Sequence, residues 1–103
     1  MKKLQLTIYL NEADRIGDVP LHEDVVRRLL RFDIAGATVT PGLMGYGKHG
    51  KVDRKRLFGV SDDRPVVITA VDDEAHIRLI LTELKSVILE GLITLHEVEV
   101  VSF

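Results

Sequence analysis

Apolar and polar residues alternate from Leu4 to Leu10, with Leu4, Leu6, Ile8 and Leu10 on one side and Gln5, Thr7 and Tyr9 on the other. A period of two predicts a strand with one face on a core. After a polar connection the period lengthens. Leu21, Val25, Leu29 and Phe32, with Val26 and Leu30 beside them, recur at helical spacing and predict an amphipathic helix of about three turns. Pro20 suits a first helical turn, Glu23 and Asp24 suit the positive helix start, and Arg27, Arg28 and Arg31 suit its end.

The small and β-branched run from Ala35 to Leu43 predicts a second strand, with Pro41 and Gly42 marking an edge, a bulge or its end. Val66 to Val71 is apolar on both alternations, as in a strand covered on both faces. Asp72 and Asp73 stand where caps belong, ahead of a wide stripe of Ile77, Ile80, Leu81, Leu84, Val87 and Ile88 that Gly91 can close. Alternation returns from Leu95 to Phe103, which predicts a last strand.

The order is βαββαβ. It predicts an α+β, ferredoxin-like domain spanning 1–103, with two helices on one face of an antiparallel sheet. The other face of that sheet carries Tyr9, one alternation of the third strand, Val101 and Phe103, which are not solvent-like. A symmetric oligomer that packs sheet faces together is the simplest cover.

With 103 residues the chain buries only a modest core, so association helps it. The absence of cysteine removes disulfides, thiolate metal sites and cysteine nucleophiles. No apolar run approaches the roughly 18 residues of a membrane span, and the N-terminal MKKLQLTIYLNEADR lacks a signal-peptide core. The expectation is a cytoplasmic protein that is not integral to a membrane.

The formal charge is −2, which gives no general case for nucleic acid. Its distribution is uneven. Lys48, Lys51, Arg54, Lys55 and Arg56 against Asp53 give residues 45–56 a net +4, leaving −6 elsewhere. These cations follow Gly42, Gly45 and Gly47, a G-x-x-G-x-G run in which backbone amides can approach an anion closely. A phosphate-bearing ligand suits that combination. A solvated loop whose glycines only make turns suits it equally, because the run neither opens a helix nor carries the Lys-Ser/Thr of a P-loop. The excursion from Gly45 to Leu57 is long for a hairpin, and extended arms would carry its tip roughly 20 Å from the sheet. That reach suits insertion into a partner.

The other candidates are weaker. His22, His49, His76 and His96 form no i, i+4 metal pair, and only His49 lies among glycines and lysines. Asp62 and Asp63 read as a turn before Arg64-Pro65, and Asp72 and Asp73 as a helix start. No nucleophile elbow or Ser/His/carboxylate set stands out, so catalysis is not expected. The first and third strands offer only Tyr9 as an aromatic, which disfavours RNA binding on the sheet.

The runs AGATVTPGLMGYG, DRPVVITAVDD and GLITLHEVEV together resemble a bacterial and archaeal domain-of-unknown-function family of PII-like proteins within the GlnB-like group. The similarity covers nearly the whole chain. It implies a homotrimeric, non-enzymatic signalling protein whose long loop between strands two and three corresponds to the PII T-loop. In PII proteins, nucleotides bind in clefts between subunits, at the T-loop base and the B-loop, and the T-loop docks onto targets such as membrane transporters or enzymes. Carried over by position, the resemblance implies ligand binding at Gly42, Gly45, Tyr46, Gly47 and Lys48 and at Glu90 and Gly91, the place of the B-loop. It implies partner docking through His49, Lys51, Arg54, Lys55 and Arg56, with an adenine nucleotide or another small anion as the expected ligand.

The match departs from PII proteins in LEGLITLHEV, which lacks the glycine-rich B-loop with its threonine and lysine, and in ending without a basic extension. Two other expectations share this architecture. One is a trimeric metal-binding protein like the CutA branch, which the histidines and acidic pairs would serve. The other is an acylphosphatase-like enzyme, for which NEADRIGDVP supplies Arg15 but not the glycine pattern.

Overall fold

The computed structural model describes residues 2–47, 53, 54 and 63–102. Four strands form its main sheet: β1 (Lys3–Asn11), β4 (Ala37–Pro41), β7 (Pro65–Asp73) and β8 (Leu92–Val98). Two helices follow β1 and β7, α1 (Leu21–Arg31) and α2 (Glu74–Val87). The sheet order is β4-β7-β1-β8 and every pairing is antiparallel. This is the expected ferredoxin-like arrangement. Two short ribbons are added, β2 (Arg15–Ile16) with β3 (Val19–Pro20), and β5 (Met44–Gly45) with β6 (Asp53–Arg54).

Register explains the core. Leu6 pairs with Ala70, Ile8 with Ile68 and Leu10 with Val66, and cross-strand partners share a face. All six are buried against Val25 and Leu29 of α1 and Ile77, Ile80 and Leu84 of α2. Arg28 ties the helices to each other, donating to Asp24 Oδ2 at 2.6 Å and Glu83 Oε1 at 2.5 Å.

Several boundaries differ from the sequence expectation. Pro20 stands just before α1, whose first N–H donates to the carbonyl of Asp14 at 2.7 Å. The second strand is shorter than its small-residue run. The carboxylate of Asp72 holds the Ala35 amide at 3.0 Å, so regular pairing starts only at Ala37. The last strand starts at Leu92 rather than Leu95 and stops at Val98, because its partner β1 runs out at Lys3.

The acidic pair before α2 does not cap the helix with side chains. Asp73 occupies the cap position without a side-chain cap bond and pairs instead with Lys3 across the sheet. Asp72 accepts from the Asp73 and Ala35 amides and meets His76 Nδ1 at 3.1 Å. The other nitrogen of His76 faces the carbonyl of Phe32, so this cluster fastens the end of α1 to the start of α2.

The outer sheet face has its own order. One row runs Thr38, Thr69, Thr7 and Thr94 across all four strands, and the next runs Thr40, Val67, Tyr9 and Leu92. Tyr9 is 43% exposed and Leu92 56%, while Val67 is half-buried. The expectation of an outward face unlike a solvent face holds for this row.

Candidate functional site

The base of the long loop grows out of β4. The Gly42 amide donates to the Pro65 carbonyl at 2.8 Å, which keeps the two chain arms together just beyond the last strand pair, Pro41 with Val66. A Cβ at Gly42 would lie 2.8 Å from Pro65 Cγ, and one at Gly45 3.3 Å from it. Both positions therefore lack side chains for a packing reason: the proline ring fills the space. A Cβ at Gly47 would meet nothing within 4 Å among the described residues.

Met44 pairs with Arg54 and Gly45 with Asp53, so the arms leave the sheet as a two-stranded ribbon. Leu43, Met44 and Tyr46 stand out beside this base, with Leu43 93% and Tyr46 75% exposed. Of the expected docking residues, Arg54 lies in β6. His49, Lys51, Lys55 and Arg56, and the expected ligand contact Lys48, lie outside the described residues.

The second part of the expected site is the turn after α2. Gly91 has φ +153°, and a Cβ there would lie 2.9 Å from the Tyr9 carbonyl oxygen and 3.0 Å from Leu10 Cδ2. The chain thus doubles back tightly against β1, leaving Leu89, Glu90 and Leu92 outside. Neither Leu89 nor Leu92 was marked from sequence. Their flanking of Glu90-Gly91, as in LEGL, was the signal available.

Both parts sit at one end of the sheet, where Leu10 meets Val66 and Tyr9 meets Leu92. They lie at opposite edges, however, one beyond β4 and the other before β8. Three inter-strand spacings separate those edges, about 14 Å. A single chain does not bring Gly42 and Gly91 together. Between them Arg64 is engaged, with its Nε 3.1 Å from Glu12 Oε2 and its carbonyl accepting from the Glu12 amide at 2.8 Å.

The alternative chemistries find little support. No group of three potential metal-binding side chains occurs among the described residues. Asp63 accepts from the Ala13 amide at 2.8 Å, and Asp62 lies outside the described residues. Arg15 donates to the Asp18 carbonyl at 2.5 Å, so it closes the β2-β3 hairpin rather than lining an anion cradle. Burial works against ionisation of Asp72, but the Asp73 and Ala35 amides and His76 outweigh it and hold the carboxyl below its usual value. Asp72 is thus a fixed structural anion.

A family model described as Uncharacterized ACR, DUF190, matches residues 3–100. The chain belongs to this family. A UPF0166 protein of Aquifex aeolicus is 34% identical over 101 residues, 98% of this chain and 95% of the relative. Another from Methanocaldococcus jannaschii is 39% identical over 83 residues, 81% of this chain and 76% of the relative.

Among solved structures the chain resembles CPII, a nitrogen regulatory PII-like protein from Thiomonas intermedia K12. With ADP, AMP and bicarbonate bound, that structure matches at a TM-score of 0.74 and 24% identity, covering 97% of this chain and 89% of the other. The apo form matches at 0.65 and 20% identity, covering 97% and 92%. The fold is PII-like.

Proposed function

We propose that this chain is a non-enzymatic, PII-like regulator that works as a cytoplasmic homotrimer. A small anion, with an adenine nucleotide as the leading choice, binds in clefts between copies and orders the basic loop. The loop then docks on a partner protein, such as a transporter or an enzyme.

The observation that carries this reading is the loop itself. A ribbon-based arm with a net +4 rises from an uncharged, glycine-bearing base in a PII-like fold. The places of Gly42 and Gly91 at opposite sheet edges, about 14 Å apart by three strand spacings, favour a cleft in which the loop base of one copy meets the Gly91 turn of another. The ADP and AMP bound to CPII favour adenine nucleotides as the first ligands to try. Ligand and partner are then coupled to the extent that the ligand binds one loop arrangement better than another.

Calorimetric titration with ATP, ADP, AMP and cyclic nucleotides tests the reading, run beside a variant with Arg54, Lys55 and Arg56 changed to alanine. Binding by the natural protein, weakened about tenfold or more in the variant through lost charge-assisted contacts, is the expected result. No heat with any of these ligands removes the nucleotide part and leaves a docking protein.

A further inference from the structure

We infer that His76 is a proton-operated latch: with a proton on both ring nitrogens it ties the end of α1 to the start of α2 and steadies the entry to β4, and with one proton it does not. Both nitrogens meet acceptors. Nδ1 lies 3.1 Å from Asp72 Oδ2, and Nε2 lies 2.5 Å from the carbonyl oxygen of Phe32. Neither oxygen carries a hydrogen when Asp72 is ionised, so an imidazolium, which donates from both nitrogens, satisfies both partners. A neutral ring has only one N–H. In either tautomer its second nitrogen turns a lone pair toward an oxygen, and the ring has to give up one of its two partners.

Asp72 passes the effect on. The oxygen that meets His76 also accepts the Ala35 amide at 3.0 Å, just before β4, and β4 leads directly to the loop base at Gly42. The neighbouring charges are engaged elsewhere or exposed. On the side of α2, Asp73 pairs with Lys3, and Glu74 with Lys2 and Arg78. On the side of α1, Arg28 is held by Asp24 and Glu83, while Arg31 and Asp33 are exposed. The ring faces the negative end of α1, which favours its second proton, although its own place in the first turn of α2 works in the opposite sense. Because His76 gains an anionic partner on folding, the latch contributes while the ring holds both protons and is lost as pH rises through the release of one. At the acid end it is lost when the lowered Asp72 carboxyl takes up a proton. The latch belongs to the single chain and needs neither the proposed ligand nor the proposed assembly.

Nuclear magnetic resonance tests this by following the ring nitrogens of His22, His76 and His96 from pH 5 to pH 9. Hydrogen exchange at the Ala35 amide is measured alongside, corrected for the intrinsic pH dependence of exchange. The expected result is a doubly protonated His76 ring at the acid end. Opening at Ala35 then rises about tenfold or more as that ring, rather than His22 or His96, loses a proton, the scale of one lost charge-assisted hydrogen bond. The core amides of β1 and β7 stay protected throughout. His76→Gln keeps one donor and one acceptor but does not titrate, so its Ala35 opening is the same at every pH. If that variant fails to fold, the natural chain decides, because its Ala35 opening either follows the His76 ring or does not. Opening that stays constant while the ring releases its proton overturns the latch. So does a rise with pH that persists in His76→Gln, or a His76 ring that never carries both protons in the folded protein.

Discussion

Gly91 is the position where a single atom has the largest predictable effect. Its φ of +153° is one that residues with a side chain rarely adopt, and a Cβ would press on the Tyr9 carbonyl at 2.9 Å. Gly91→Ala is expected to cost about 1–3 kcal/mol, measured as a fall in the urea midpoint with little change in slope. Gly42→Ala meets the Pro65 ring at 2.8 Å with no backbone strain to add, so a smaller loss is expected because the ring can shift. Gly47→Ala meets nothing within 4 Å among the described residues and should leave stability within about 0.5 kcal/mol of the natural chain. Equal losses at Gly42 and Gly47 would contradict the packing account of the loop base. The spacing G-x-x-G-x-G could not distinguish these roles, because what separates Gly42 from Gly47 is a proline ring more than twenty positions away in the chain.

At the scale of elements, β1, β7, β8 and both helices were legible because each turns apolar residues to one core, whereas β4, whose five residues are all exposed, was legible only from its small and β-branched run. Their ends were less legible, since ends depend on partners. Val98 ends β8 only because β1 stops at Lys3, and the Ala35 amide is held by Asp72 from a distant junction. That junction can be tested by acid. The folded state holds the Asp72 carboxyl below its usual value, so its contribution is full above about pH 4 and is lost as pH falls through the lowered folded value. Asp72→Ala leaves the Ala35 and Asp73 amides without their acceptor and is expected to cost about 1–3 kcal/mol at pH 7. Thermal melts of both proteins from pH 7 to pH 3 should show the gap narrowing at the acid end. A gap that stays constant would mean that the charge on Asp72 contributes nothing.

At the scale of the whole molecule, the proposed cleft between copies can be tested through the outer sheet face. Thr40, Val67, Tyr9 and Leu92 form a row at the same end as both parts, and Tyr9 and Leu92 expose apolar surface that copies of the chain can cover. A charge placed there is tolerated by the monomer, since Tyr9 is 43% exposed, but is costly once a partner removes water from it. Tyr9→Glu is therefore expected to keep the circular dichroism of the natural protein and to sediment as a monomer. Nucleotide titration of that variant carries the argument one step further. If the chain forms the proposed trimer and the cleft needs two copies, binding is lost together with that assembly, although Gly42, Tyr46 and Gly91 are unchanged. Undiminished binding by the monomer would place the ligand within one chain, at the loop base or at the Gly91 turn alone.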